Sequence, residues 1–441
     1  MKKKALIVAV MALCATASVR AGGLMTNTNY HIAFDRMMAR GATFDIDAAY
    51  SNPAGLAWGR DGFQLSLNFQ KPWQDRDIET TIPGFMGADY NQKFAGKASA
   101  PIVPALFASY KKDRWAVSAM IGIVGSGGFV EYDDGVPMFN VPLTALLAKN
   151  GVMPNMYTLD SQMKGKQYIY GAQVNFTYRI TDWLSAAVGM RANYYDGYYR
   201  GHVVADMSGT KLVNLQLDCD QKGWGFAPIV SLNYHQGPLT IAARYEFRTK
   251  IEVPNETNEL KAEIMGMTPE QTAAVLGSKV AAYQDGVKTR YDMPALFVAA
   301  VGYEFSPKLR ATLEYHFFDD KNAKMAGDRQ EELKHGTHEI LAGVEWDINK
   351  KFTVSCGAQR TDYGLSDNYQ QNTSFACDSY SIGLGGAWNI SEKLRLNAGY
   401  FITIYSDYEK AQDNYLGLGM AGKDVYSRTN NVIGIGIDYK F

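Results

Sequence analysis

Leu394-Arg-Leu-Asn-Ala-Gly-Tyr-Phe-Ile-Thr-Ile404 is the stretch that decides the fold. Its even positions, Leu394, Leu396, Ala398, Tyr400, Ile402 and Ile404, are apolar or aromatic. Its odd positions are Arg395, Asn397, Gly399, Phe401 and Thr403. A strand sends successive side chains to opposite faces, so this stretch has one apolar face and one mixed face. Tyr168–Ile180 alternates in the same way. Leu239–Phe247 and its continuation put Arg244, Glu246 and Arg248 on the polar face, and Leu309–Phe317 does so with Arg310, Glu314 and His316. A soluble sandwich packs its apolar faces on a second sheet, which here would bury charge or leave aromatics in water. A sheet closed on itself in lipid satisfies both faces at once.

Working outward, fourteen such segments are predicted, at 62–70, 102–111, 114–125, 166–180, 182–200, 222–236, 237–253, 288–305, 308–320, 335–348, 351–363, 374–390, 392–408 and 426–441. Tight connections at Lys112-Asp113, Thr181, Gly237-Pro238, Ser306-Pro307, Asn349-Lys350 and Ser391 alternate with long ones. The long ones fall at about 71–101, 126–165, 201–221, 254–287, 321–334, 364–373 and 409–425. Short periplasmic turns alternating with long external loops, on an even number of strands, define an all-β, 14-stranded antiparallel transmembrane β-barrel. Closure satisfies every backbone group in hydrocarbon. Aromatics flank the tight turns (Tyr110 and Trp115, Tyr178 and Trp183, Trp346 and Phe352, Trp388), as an interfacial girdle requires. The last strand alternates through Ile433, Ile435, Ile437 and Tyr439 to Phe441, the kind of terminal aromatic read by the barrel-assembly machinery.

The remaining features agree on an exported chain. Lys2, Lys3 and Lys4 precede an apolar run from Ala5 to about Ala15 and an A-x-A-like site at Val19-Arg-Ala21, which is the pattern of a signal peptide over residues 1–21. Beyond it no run of eighteen apolar residues occurs, which excludes helical spans. Removing the signal leaves 40 basic against 45 acidic residues, a mild acidity that argues against nucleic acid. Cys219, Cys356 and Cys377 are too few and odd in number for a disulfide framework. Cell outer membrane of a Gram-negative bacterium is the expected location, with outer-membrane lipid as surroundings. No enzyme signature, cofactor motif or metal-ligand spacing accompanies the strands; Gly417-Leu-Gly-Met-Ala-Gly422 matches a dinucleotide fingerprint but lacks a βαβ setting.

Residues 22–61 do not alternate. Tyr30, Ile32, Phe34, Met37, Met38, Phe44 and Ile46 give them enough apolar surface to pack, so they are expected to form a plug in the lumen ahead of the barrel at 62–441. Phe34-Asp-Arg-Met-Met-Ala-Arg-Gly-Ala and Asp45-Ile-Asp-Ala-Ala-Tyr-Ser-Asn-Pro-Ala-Gly-Leu56 resemble the N-terminal hatch of the FadL/TodX-type outer-membrane transporters of long-chain fatty acids and other hydrophobic compounds. Gly223-Trp-Gly-Phe226, Arg244-Tyr-Glu-Phe-Arg-Thr-Lys-Ile251 and Tyr291-Asp-Met-Pro294 extend the resemblance along most of the chain in the same order. It implies a monomeric barrel, closed by a hatch carrying Asn52, Pro53, Ala54 and Gly55, that passes fatty acids or aromatics without an energy source. It also implies a lateral gate in the third strand, for which Gly125, Ser126, Gly127 and Gly128 are the candidates. Glycine in a strand permits a kink, and the same residues fit a plain loop start equally well.

A pocket for apolar ligands needs apolar side chains on inward positions. Phe107, Met120, Val124, Ile169, Leu296, Val298, Phe318, Leu341 and Phe401 hold that phase, and Phe34, Met37, Met38 and Phe44 of the N-terminal segment are placed to meet them. Arg244, Arg248 or Arg310 are candidates to neutralise a carboxylate, against a role in ion pairs that fill the lumen. Helices are expected at 142–149 and, behind Pro269, over 267–283. Two other functions fit a barrel: a general porin for polar solutes, and an adhesion or structural barrel.

Overall fold

Period-two alternation closes into one antiparallel sheet. The computed structural model describes residues 29–276 and 281–441; the expected signal peptide and residues 22–28 lie outside the described residues. The strands are β1 (Gly62–Ile82), β2 (Tyr90–Ser99 and Val103–Lys112), β3 (Trp115–Tyr132), β4 (Thr158–Arg179), β5 (Leu184–Met207), β6 (Thr210–Gln236) and β7 (Leu239–Glu246 and Glu252–Ile264). They continue as β8 (Lys288–Arg290 and Leu296–Ser306), β9 (Leu309–Phe318), β10 (Thr337–Asp347), β11 (Phe352–Asp362), β12 (Ser379–Asn389), β13 (Leu394–Tyr405 and Tyr408–Gln412) and β14 (Gly422–Lys440). Eighteen extended segments thus make fourteen strands, because β2, β7, β8 and β13 are each interrupted once. Neighbours in sequence pair, and β1 pairs with β14 from Gln64↔Lys440 to Thr81↔Lys423, which closes the barrel. No described helix is long and apolar enough to cross a membrane.

Outward positions are apolar and exposed, among them Leu67, Val117, Val174, Val188, Leu232, Ile340, Ile382 and Ile435. In lipid these are the buried side chains. Aromatic pairs mark the short-turn end: Tyr110 with Trp115 at 5.6 Å, Trp183 with Tyr234 at 5.8 Å, and Tyr439 with Phe441 at 4.7 Å between ring centroids. A second belt runs across β4, β5 and β6, with Tyr170 and Tyr194 at 6.4 Å and Tyr194 and Trp224 at 4.6 Å.

All the tight turns fall where expected; the other ends of β1 to β7 run on past their expected bounds, while those of β8 to β11 fall close to them. β1 runs on to Ile82 and pairs with the first piece of β2, so most of 71–101 is sheet rather than loop. The expected loop 201–221 is a hairpin joined by Ser208-Gly209, both at positive φ, which is the geometry that suits strand twist. The helix expected from 142 begins at Pro137 and runs to Lys149 (α3, after α1 and α2 below), and the one behind Pro269 spans Pro269–Leu276 (α4).

Residues 29–61 form a short helix α1 (Ile32–Met37), a helical turn α2 (Ala48–Ser51) and a 3-10 turn (Pro53–Trp58). His31 caps α1, its Nδ1 accepting from the Ala33 amide at 3.0 Å. Glycines let α1 lie close to the sheet. Gly343, Gly357 and Gly383 are register partners across β10, β11 and β12, and Gly385, Gly399 and Gly434 across β12, β13 and β14. A Cβ at Gly343 or Gly357 would strike the Met37 carbonyl, one at Gly383 the Asp35 carbonyl, and one at Gly434 the Ile32 side chain. The inward glycines of Gly223-Trp-Gly-Phe226 serve a second close approach, where residues 249–253 of the interrupted β7 cross the inner face of β6. Trp224 and Phe226 point outward.

Candidate functional site

Residues 29–61 are held to the inward side chains of strands around the barrel. On α1, Arg36 pairs with Glu345 of β10 and donates to Ser355 Oγ of β11 at 2.7 Å. Glu345 also takes Arg310 Nε of β9 at 2.8 Å, and Arg310 reaches Asp347 at 2.8 Å. The Gly41 amide donates to Glu314 at 2.7 Å, and Glu314 and Glu339 flank His316 at 2.6 and 2.9 Å. His31 meets Asp438 of β14 at 3.1 Å. Arg40 binds Asp47 at 2.7 Å within the segment, so the 38–47 loop is braced by its own ion pair. Charges at this depth persist because each has a partner.

The Asn52-Pro-Ala-Gly55 motif sits against β4, β5 and β6. Asn52 Nδ2 donates to Asn233 at 2.8 Å and the Ala54 amide to Ser231 Oγ at 3.0 Å. Thr177 donates to the Pro53 carbonyl at 2.8 Å and Ser185 to the Ala54 carbonyl at 2.7 Å. Strand hydroxyls thus take two carbonyls of the proline turn. Gly55 is required by contact: a Cβ there would meet the Thr43 carbonyl.

Asp35 differs from the other segment charges. It is fully buried, accepts from Gln70 Nε2 at 2.8 Å, and its Oδ2 has no hydrogen-bond partner among the described residues. Burial holds this carboxyl well above its ordinary value.

A cavity of about 180 Å³ lies between this segment and the walls of β1, β2, β3 and β11–β14. Tyr30, Phe34, Met38, Val103, Ile123, Phe401 and Val432 give it an apolar side. Gln70, Gln74, Gln359, Thr361, Tyr363, Thr403, Tyr405, Arg428 and Asn430 give it a polar one. Ala98, Ser99, Ala100 and Gly128 carry it to a break in the wall. There the β2–β3 ladder stops at Ala105↔Gly122 and resumes only at Ser99↔Phe129, so residues 100–104 face 123–128 without register pairs. Pro101 and Pro104 bring no N–H to this stretch. β3 keeps its pairing to β4 through two bulges, at Ile123/Gly125 and Ser126/Gly128, with Gly128 at φ 69°.

Of the residues singled out in the sequence, Phe34, Met38, Phe401 and Gly128 meet at this cavity, with Leu341 packed behind Phe34 and Met38. Phe107, Met120, Val124 and Ile169 instead form a core with Tyr50, Ile46 and Leu56. Leu296, Val298 and Phe318 make a cluster of their own. Met37 and Phe44 border a separate cavity of about 290 Å³ at the short-turn end, beside Pro238 and Arg310, where Phe44 packs on His235 at 4.8 Å. Arg244 donates to the Tyr50 carbonyl, and Arg310 is consumed by Glu345 and Asp347. Arg248 is not on an inward strand position, because the first piece of β7 ends at Glu246. Cys219, Cys356 and Cys377 are free thiols. Of the polar lining, Gln74 lies where β1 continues its even-numbered inward phase into what reads as a loop, and the rest sits on inward positions of expected strands, where a polar side chain reads as ordinary lumen filling.

A closed, even-stranded antiparallel sheet with an apolar exterior, aromatic belts and a polar interior is the architecture of an outer-membrane β-barrel. Among solved structures the chain is similar to a Pseudomonas aeruginosa FadL homologue, with TM-score 0.70 and 14% identity over 95% of this chain and 100% of that one. It is also similar to the Pseudomonas putida toluene transporter TodX (TM-score 0.56, 12% identity, 96% and 99% covered) and the Ralstonia pickettii toluene transporter TbuX (0.53, 13%, 96% and 99%). No family model and no curated protein matches the chain.

Proposed function

We propose that the chain carries hydrophobic compounds passively across the outer membrane, a reading supported by its likeness in fold to a FadL homologue and to toluene transporters. Residues 29–61 act as the hatch that closes the lumen, the 180 Å³ cavity holds the ligand, and the β2–β3 interruption is its lateral exit. The observation that carries this reading is the cavity's position, bounded by α1 on one side and by the broken ladder on the other. An open porin needs a continuous aqueous path, whereas here residues of the N-terminal segment bond to β1, β4, β5, β6, β7, β9, β10, β11 and β14. Phe34, Met38 and Phe401 supply the apolar contacts, and methionine adapts to ligands of varied shape. The test is uptake of a labelled apolar compound by outer-membrane-competent cells with and without the protein. Faster uptake supports the reading, and equal uptake refutes it.

A further inference from the structure

The connection between β11 and β12, Tyr363-Gly-Leu-Ser-Asp-Asn-Tyr-Gln-Gln-Asn-Thr-Ser-Phe-Ala-Cys-Asp378, has the composition of a solvated loop. Such segments usually stay on the surface, because every backbone group taken out of water needs a partner. Here only Asp367 and Asn368 are exposed. The buried carbonyls do find partners, and three of the donors are cations from other elements. Arg329, in the connection after β9, donates to the Tyr369 carbonyl at 2.8 Å and the Ser374 carbonyl at 2.5 Å, with its guanidinium 4.0 Å over the Tyr369 ring. Lys410 of β13 donates to the Gln370 carbonyl at 3.0 Å. Arg76 of β1 donates to the Phe375 carbonyl at 2.9 Å and lies 4.9 Å over the Phe375 ring. Within the loop, the Gln370 side chain donates to the Ala376 carbonyl at 2.7 Å and accepts from the Ala376 amide at 3.1 Å.

The ladder between β1 and β14 fixes the height of this loop. Gln70 and Gln74 of β1 and Arg428, Asn430 and Val432 of β14 line the 180 Å³ cavity. Toward the long-loop end the next inward pairs are Ile78↔Tyr426 and Thr80↔Asp424. The loop covers both. Phe375 packs on Tyr426 at 4.8 Å between ring centroids and joins Ile78, Phe94 of β2, Tyr132 of β3 and Met138 of α3 in one cluster. Asn372 donates to Asp424 at 2.9 Å and to the Tyr426 hydroxyl at 3.1 Å. The chain thus leaves β11, crosses to β14 and β1, and sets Phe375 directly above the cavity.

We propose, building on the transport function proposed above, that residues 363–378 are an external lid on the cavity, and that a compound arriving from outside enters only when Phe375 lifts away. The lid is held by its main-chain carbonyls rather than by its own charges. Water replaces such bonds at small net cost once the loop lifts, so closure is tight yet reversible. Arg329 is the strongest tie, since one guanidinium holds two carbonyls five residues apart. The lid also carries its own reporter: Cys377 is a free thiol, fully buried in the Phe375 cluster.

Two rates measured on intact cells producing the full-length protein test this. The first is modification of Cys377 by a charged, membrane-impermeant methanethiosulfonate, assigned by peptide mass spectrometry so that Cys219 and Cys356 are scored separately. The second is initial uptake of radiolabelled hexadecanoate, relative to cells without the protein. Arg329→Leu, which removes both donations and keeps apolar bulk, should speed Cys377 modification about tenfold or more, as expected for lost hydrogen bonds to a charged group, and should raise hexadecanoate uptake with it. Phe375→Ala, which removes the covering ring and leaves the carbonyl bonds, should raise uptake as well. Heat-modifiable gel mobility checks the barrel, and either variant suffices if the other misfolds. Variants that take up hexadecanoate no faster than a wild type that does take it up overturn the lid and leave the transport reading intact. Faster Cys377 modification without faster uptake also overturns it, because the loop then opens away from the ligand's path. No uptake above background by any form overturns the transport reading and the lid together.

Discussion

Replacing Gly357 by alanine should loosen the N-terminal segment while leaving the barrel closed. Gly357 lies between Gly343 and Gly383 in one row of paired residues beneath α1, and its added Cβ would strike the Met37 carbonyl. A flexible side chain gives way to a methyl group; a backbone carbonyl at the end of a helix does not. Overpacking of this kind costs about 1–3 kcal/mol. Within the strand itself alanine is preferred over glycine by roughly 0.5–1 kcal/mol, and that gain applies whether or not the segment is docked. Only the clash distinguishes the two states, so the undocked fraction should rise about 5- to 150-fold. Limited proteolysis of the segment in intact outer membranes reads this directly, and current across a planar bilayer reads its consequence. Ala342→Val, on the lipid-facing side of β10, is the control because it adds more bulk away from α1. Gly357→Ala with the same protease resistance and current as Ala342→Val would refute the claim that α1 depends on the glycine row.

Three further outcomes follow from the same geometry. Asp35 has a folded pKa raised by burial, so docking of the segment is strongest below the unfolded value near 4 and weakens as pH rises toward the folded one. Asp35→Asn should remove that dependence and make the segment more protease-resistant than wild type at neutral pH; an unchanged pH profile would contradict this. Asp320, in the connection after β9, accepts from the Thr337 amide at 2.9 Å and is pushed up to about 7 by burial. Protection of the 319–336 connection in hydrogen exchange should therefore fall between about pH 4 and 7 in the wild type and stay flat in Asp320→Asn. Ala100→Trp, at the cavity's edge beside the β2–β3 break, should cut uptake of an apolar compound about tenfold at normal barrel yield; full uptake would rule out that exit.

Strand number and turn positions were legible because lipid on one side and a polar lumen on the other impose period two, and turn residues punctuate it. The far ends of the first seven strands were not. Above the membrane both faces of Asp75–Ile82, Thr158–Lys166 and Leu212–Gln221 meet water or loops, so charged side chains fall on either face and the alternation fades. For the site, Phe401 was legible because an apolar residue on an inward phase is conspicuous, and Phe34 and Met38 because a segment that does not alternate still carries apolar side chains that must pack. Arg76 was passed over because it lay in an apparent loop. Arg310 was offered as a ligand group because sequence shows that an arginine faces inward but not that Glu345 and Asp347 already hold it. The glycine rows under α1 have no sequence signal of their own, since the need for glycine comes from a segment some 300 residues away.

The most direct test of a hatch-closed transporter of hydrophobic compounds measures two fluxes on one preparation of proteoliposomes. Ion current is recorded alongside the rate at which hexadecanoate enters from donor vesicles. The account predicts accelerated entry of the apolar compound, no steady ohmic current from the intact protein, and the appearance of current in Gly357→Ala. A large, constant current from the wild type with no acceleration of hexadecanoate entry would contradict it and make the barrel a porin for polar solutes.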